Sequence, residues 1–189
     1  AGCHFISEDD ISAAAANIVL CCVSGTRLNA HVKNYTQPAV HANFFIHGLL
    51  GLFHSQSDKI SRDLSDAFVI STVATRYLAL PCLMADLYGA DRNMSAAHLI
   101  SGLIPFVLAL AGKEHQKLGN IVIAGNLISL CVYSHRHDRI WGLYAAGAGF
   151  LAYFLTPDSG IQIAYPLFLS LFNYCASNIY IEVSLPPPV

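Results

Sequence analysis

Charge is what this chain has least of: acidic and basic residues make up 12% of its 189 positions, against roughly 25% in a soluble domain. With 54% hydrophobic residues and a mean hydropathy of +0.50, a water-soluble fold would expose a large apolar surface, which soluble monomers rarely do. Acids are absent from the interiors of the second, fourth, fifth and sixth apolar stretches. That excludes acid–base work by a carboxylate pair there and weakens a proton- or sodium-coupled transport reading. A glycine-rich phosphate loop, a G-x-S-x-G elbow, an H-E-x-x-H pair and a C-x-x-C pair are all missing. The six cysteines lack zinc spacing and suggest no disulfide framework, while Cys21-Cys22 near the end of the first stretch is chemically open to palmitoylation. Glu8, Asp9 and Asp10 stand where a signal peptide carries basic residues, so no cleavable signal is expected.

What is there is seven apolar stretches with short polar connections. A hydrocarbon core about 30 Å thick needs about 20 helical residues, and strict two-residue alternation, the mark of barrel strands, is lacking. The expected fold is therefore all-α, a polytopic transmembrane helical bundle forming a single domain over residues 1–189. The spans run from Ser7 to Ser24, Pro38 to His54, Asp66 to Leu87, Ser95 to Gly112, Leu118 to Ser134, Arg139 to Leu155 and Gly160 to Val183. The first has a short apolar part, so six crossings is the alternative to seven. Pro81, Pro105 and Pro166 are expected to interrupt spans 3, 4 and 7. Short spans favour a thin bilayer, the endoplasmic reticulum or another early secretory membrane. Basic residues divide almost evenly between the two sides, Lys59, Arg62, Lys113 and Lys117 against Arg27, Lys33, Arg92, Arg136 and Arg139, so orientation stays open. The sequons at Asn34 and Asn93 fall on the second of these sides.

Polar side chains inside the spans are the candidate ligand-binding residues. Arg76 lies near the middle of span 3, where a charge costs about 2.5–3.5 kcal/mol to insert. It is an anion clamp, a donor to backbone carbonyls freed by Pro81, or a group that reaches a water-filled crevice. Nine histidines are many for a chain so poor in charge. Asn43, His47 and His54 share one helical stripe while His41 points elsewhere, and His98 opens span 4. His47 with His98 has the chemistry to ligate haem or a metal, but without a dense histidine motif interhelical hydrogen bonding is the expectation, with no metal and no cofactor. Gln162, Pro166, Ser170, Asn173 and Ser177 form a polar stripe on span 7, which either holds helices together or lines a cavity. In span 6, Gly142 with Ala146 and Ala145 with Gly149 are small-xxx-small pairs that permit close backbone approach, within the bundle or in a dimer.

The expected role is a small multi-pass accessory or assembly subunit, or a lipid-binding component, of a membrane complex. Its partners would be membrane lipids and another membrane protein or a second copy, with no nucleic acid. Two alternatives stand beside it: a lipid-modifying enzyme that holds an anionic headgroup on Arg76 and uses histidine as acid or base, and a small channel or carrier. No catalytic residue is assigned.

Overall fold

Proline or a left-handed residue sets three of the helix ends in this chain, at the α3–α4 break and after α5 and α6. The computed structural model describes residues 8–28, 37–55, 58–156, 161 and 163–184. The elements are α1 (Glu8–Leu28), α2 (Gln37–His54), α3 (Asp58–Tyr77), α4 (Ala79–Leu87), α5 (Arg92–Leu110), α6 (Gln116–Arg136), α7 (Ile140–Phe150) and α8 (Ala164–Ser184), with a π-helical turn, Leu151–Leu155, continuing α7. No strand occurs among the described residues. With α3 and α4 taken as one broken rod, and α7 joined to its π-turn, seven helical segments build an all-α bundle.

Four segments are long and apolar enough to cross a membrane: Ile11–Leu28, Leu64–Leu87, Arg92–Leu110 and Gln116–Arg136; Ile140–Leu155 is apolar but shorter. Helices α2 and α8 have the length, 18 and 21 residues, but their histidine, asparagine and serine stripes keep them out of that set. Surface polarity is inverted relative to a soluble protein. Ile100, Leu103, Ile104 and Val107 of α5, Ile121 and Ile128 of α6, and Leu167 and Leu171 of α8 face outward, whereas Asn17, Ser24, His41, His47, Asn126, Asn173 and Ser177 are buried. Apolar outside and polar within is the pattern a hydrocarbon solvent selects. The chain is a membrane protein.

Consecutive helices run antiparallel, except α3 and α4, which continue one rod. Gly25 faces Phe45, a Cβ on Gly48 would meet Cys21 Sγ at 2.9 Å, and one on Gly51 would meet the Asn17 side chain at 2.6 Å. Positions thus descend on α1 as they ascend on α2. Helix α8 closes the ring by packing on α1, α2 and α7, and α4 lies inside it, touching α2, α5 and α6. Accordingly seven of the nine α4 residues are buried.

The break between α3 and α4 follows from Pro81, which has no N–H for the Tyr77 carbonyl. The ladder holds on either side, with Leu78 N donating to Ala74 O at 2.8 Å and Cys82 N to Leu78 O at 2.9 Å. Gly102 of α5 lies over the break. A Cβ there would clash with the Tyr77 carbonyl oxygen and stand 2.6 Å from Pro81 Cγ. The freed carbonyl is therefore covered by a glycine Cα, a close approach of the kind weak C–H donors favour. Gly102→Val is expected to destabilise the bundle by about 1–3 kcal/mol, read as a lower thermal midpoint in detergent, because rigid backbone meets the added methyls.

Two other expectations about proline are corrected. Helix α5 continues through Pro105, with no break like that at Leu78. Pro166 is the third residue of α8, in the first turn, where the missing N–H has no intrahelical acceptor to lose. Span 3 was expected to start at Asp66, but its helix begins at Asp58. Hydropathy marks where the apolar run starts, and the polar turns before it are helical too. Gly160 and Gln162 lie outside the described residues.

The α5–α6 and α6–α7 connections each use a left-handed residue. Gly112 (φ 69°) ends α5, with Lys113 N reaching Leu108 O at 2.9 Å. Asp138 (φ 51°) ends α6, with Arg139 N reaching Ser134 O at 2.8 Å. These are the long bonds of a Schellman-type stop. A Cβ at Gly112 would meet nothing within 4 Å, so Gly112→Ala is expected to cost only the conformational strain, about 1 kcal/mol. Asp138→Gly should shift stability the other way, and paired unfolding midpoints check both.

Candidate functional site

Three groups of interior polar side chains tie the helices together, and Arg76 anchors a fourth. In the first, Asn173 of α8 joins α1 to α2. Its Nδ2 donates to Ser24 Oγ at 2.9 Å, and its Oδ1 lies 2.7 Å from His41 Nδ1. With the Asn173 amide oriented by Ser24, its oxygen faces the imidazole, so His41 Nδ1 carries the proton and Nε2 the lone pair. Ser24 passes its own proton to Leu20 O at 2.7 Å. All three residues are 0% exposed. His41 Nε2 has no hydrogen-bond partner among the described residues; the His41 ring meets Tyr180 edge-on, with centroids 5.8 Å apart. Tyr180 in turn donates to Asp86 Oδ2 at 2.8 Å.

The second group joins α2 to α3. His47 Nδ1 lies 3.0 Å from Ser71 Oγ, and Thr75 Oγ1 donates to Asn43 Oδ1 at 3.3 Å. Because Ser71 also donates to Phe68 O at 2.7 Å, its hydroxyl proton is engaged and His47 acts as donor. The Phe68 ring is stacked between His47 and His54, at 5.3 and 4.7 Å. The stripe of positions 43, 47 and 54 read from helical spacing thus faces α3.

The third group joins α5 to α6. His98 Nδ1 lies 2.8 Å from Asn126 Oδ1 and His98 Nε2 lies 3.2 Å from Ser129 Oγ, while Asn126 Nδ2 donates to Ser101 Oγ at 3.1 Å. Both His98 nitrogens are engaged, and Tyr88 stacks on its ring at 5.3 Å.

Arg76 reaches across to α6, donating from Nη2 to Asn120 Oδ1 at 2.9 Å. Its guanidinium carbon lies 5.8 Å from the centre of the Tyr77 ring, and the Tyr77 hydroxyl donates to Glu114 Oε1 at 2.6 Å. Tyr153 and Tyr165 are within electrostatic range of the same guanidinium. The Tyr153 hydroxyl donates to the Thr75 carbonyl at 3.0 Å, and the Tyr165 ring meets His47 edge-on at 5.9 Å. The partner in place is an asparagine rather than a backbone carbonyl freed by Pro81.

The four candidate ligand-binding residues therefore do not converge. Arg76 is bonded to Asn120 of α6, His47 belongs to the α2–α3 group, His98 to the α5–α6 group and Asn173 to the α1–α2–α8 group. His47 and His98 lie on α2 and α5, each packed on the intervening α4. No group of three or more His, Cys, Asp or Glu side chains placed to hold a metal occurs among the described residues. Sequence spacing alone did not single out His41, Ser24, Asp86 or Asn120, since each acquires its role from a helix distant in the chain.

The small residues of α7 pack inside the bundle. Gly142, Ala145, Ala146 and Gly149 are all buried. A Cβ on Gly142 would run into Ser134 Oγ of α6, and one on Gly149 would lie 3.0 Å from Leu127 and 3.3 Å from Phe172. These contacts bring α6 and α8 against α7.

No curated protein and no solved structure matches the chain. A family model described as a domain of unknown function, DUF4791, matches residues 35–165, a stretch that holds Arg76 and the second and third polar groups whole, and the chain belongs to that family.

Proposed function

We propose that this chain is a multi-pass, non-enzymatic accessory subunit of a membrane complex, crossing the bilayer seven times. The observation that carries this reading is the engagement of its interior polar groups with one another. The histidines, asparagines and serines needed for catalysis or transport are divided among separate interhelical hydrogen-bond groups. Such bonds contribute on average about 0.6 kcal/mol each and fix which helices are neighbours. The outward faces of α5, α6 and α8 are apolar throughout their middle turns, a surface suited to lipid or to another membrane protein. Residence in an early secretory membrane is supported by helix length. The 18 residues of α2 span about 27 Å, the thickness of the thinner bilayers.

Purification of the tagged full chain from its native membrane in mild detergent tests this. A partner recovered in fixed ratio, or a defined homo-oligomer, is expected. A monomer that runs alone after cross-linking in the membrane overturns it.

A lipid-modifying reading keeps one observation in its favour: the Arg76 guanidinium has N–H groups beyond the one given to Asn120. Turnover of a phospholipid by the purified protein, abolished by Arg76→Gln, would replace the subunit reading.

A further inference from the structure

We propose that Arg76 is the phosphate-contacting residue of a site for an anionic phospholipid headgroup, at the end of the bundle marked by the α5–α6 turn. The proposal rests on the reading of the chain as membrane-embedded and names a ligand for it.

Depth is the first argument. Lys113, Glu114, His115 and Lys117, in and just after this turn, are all exposed, so the turn marks the water-facing boundary. Side chains on a helix lean toward its N-terminus, which carries Tyr77 and Arg76 of α3 toward this same end. Tyr77 reaches Glu114 in the turn, and Arg76 reaches Asn120 in the second turn of α6. The guanidinium thus starts mid-span and ends about one turn below the boundary, the snorkelling geometry of long cationic side chains. Phospholipid phosphates occupy the neighbouring layer.

Donor accounting is the second. A guanidinium has five N–H donors. Nη2 serves Asn120, and the Tyr77 hydroxyl stands beside the group. Neither neighbour carries a full negative charge that would neutralise Arg76. None of the Arg76 nitrogens is sealed in without a partner, so Nε and Nη1 remain open to an incoming acceptor. Glu114, an acid of the neighbouring turn, has an oxygen held by Tyr77. A phosphodiester presents two oxygens to two parallel N–H groups, a match that a carbonyl cannot offer.

The surroundings are the third. Lys113, His115 and Lys117 add donors at the rim, and Lys117 stands one turn before the Asn120 that holds Arg76. Exposed Ile121 and Ile128 on α6, farther from the turn than Asn120, provide apolar surface for acyl chains.

The experiment uses the full chain in a zwitterionic detergent, with thermal midpoint as readout against added short-chain phosphatidylglycerol, short-chain phosphatidylcholine or inorganic phosphate. Phosphatidylglycerol is expected to raise the midpoint by several degrees, with at least tenfold weaker half-saturation in Arg76→Gln. Arg76→Lys should fall between them, and Arg136→Gln, at the opposite end, should match the native chain. Should Arg76→Gln fail to fold, Asn120→Ala keeps the charge and frees a donor, so its half-saturation should be equal or tighter; weaker binding there overturns the proposal. An equal shift from inorganic phosphate, or from phosphatidylcholine, overturns the anionic-lipid assignment, as does an Arg76→Gln chain that responds like the native one. Partner recovery from native membranes reports on the subunit reading independently of these shifts.

Discussion

Leucine at Gly142 is expected to leave little folded protein, and alanine there to lower the thermal midpoint clearly. The Cβ of any residue at 142 would run into Ser134 Oγ, with Ser134 Cβ only 2.8 Å away. Rotation about χ1 can carry Ser134 Oγ aside, but Ser134 Cβ is fixed to the α6 backbone, so the remaining 2.8 Å approach is relieved only by moving α6 away from α7. Overpacking of this kind costs about 1–3 kcal/mol for a small addition and more for a large one. A specific rescue follows from the geometry. Ser134 Oγ is buried without a hydrogen-bond partner among the described residues, so Ser134→Gly removes the obstruction and an unsatisfied hydroxyl together. Gly142→Ala combined with Ser134→Gly should recover most of the lost stability, and the double-mutant cycle should give a coupling well above the ~0.5 kcal/mol expected of independent sites. Gly149→Leu should also destabilise, since it meets Leu127 and Phe172. Leu143→Ile, on the exposed face of the same helix, should be mild. An unaltered midpoint for Gly149→Leu would place this strip toward lipid.

Asn173→Ala is expected to be the most damaging change on α8. The side chain makes two buried contacts, to Ser24 and to His41, and truncation leaves the His41 N–H without its acceptor. A buried polar group stranded this way costs about 1–3 kcal/mol, and loss of the link also loosens α8 from α1 and α2. Asn178→Ala supplies the comparison. Asn178 lies on the same helix, half-buried, and donates only to the Tyr174 carbonyl of its own backbone. Its removal should shift the midpoint by a small fraction of the Asn173 effect. Equal effects would mean that α8 is held by its apolar contacts alone.

The helical architecture was legible because hydropathy and helical period register directly in the residues. The stripe of positions 43, 47 and 54, the buried strip on α7 and the polar face of α8 all follow from spacing along one helix. Pairing between helices does not. His98 finds Asn126, and His41 finds Asn173 across 132 positions of chain, and no period encodes such choices. Arg76 was noticed as a charge in an apolar run, but its reach depends on which way α3 points its side chains and on α6 placing Asn120 beside it. Pro81, Pro105 and Pro166 look alike in sequence, yet only Pro81 separates two helices, because the others sit where the ladder continues or has not begun.

The polarity of α2 and α8 bears on the order in which the chain can enter a membrane. An emerging α2 carries His41 with an N–H whose acceptor is Asn173, in a helix made after the other described ones. Until α8 arrives that N–H needs water or a temporary acceptor, so α2 is poorly suited to settling alone in hydrocarbon. Arrival of α8 supplies the missing acceptor, donates to Ser24 and sets Tyr180 against Asp86. Interior closure of this protein accordingly waits for α8, and a nascent chain that has not yet made α8 should be handled by the cell as an unfinished one.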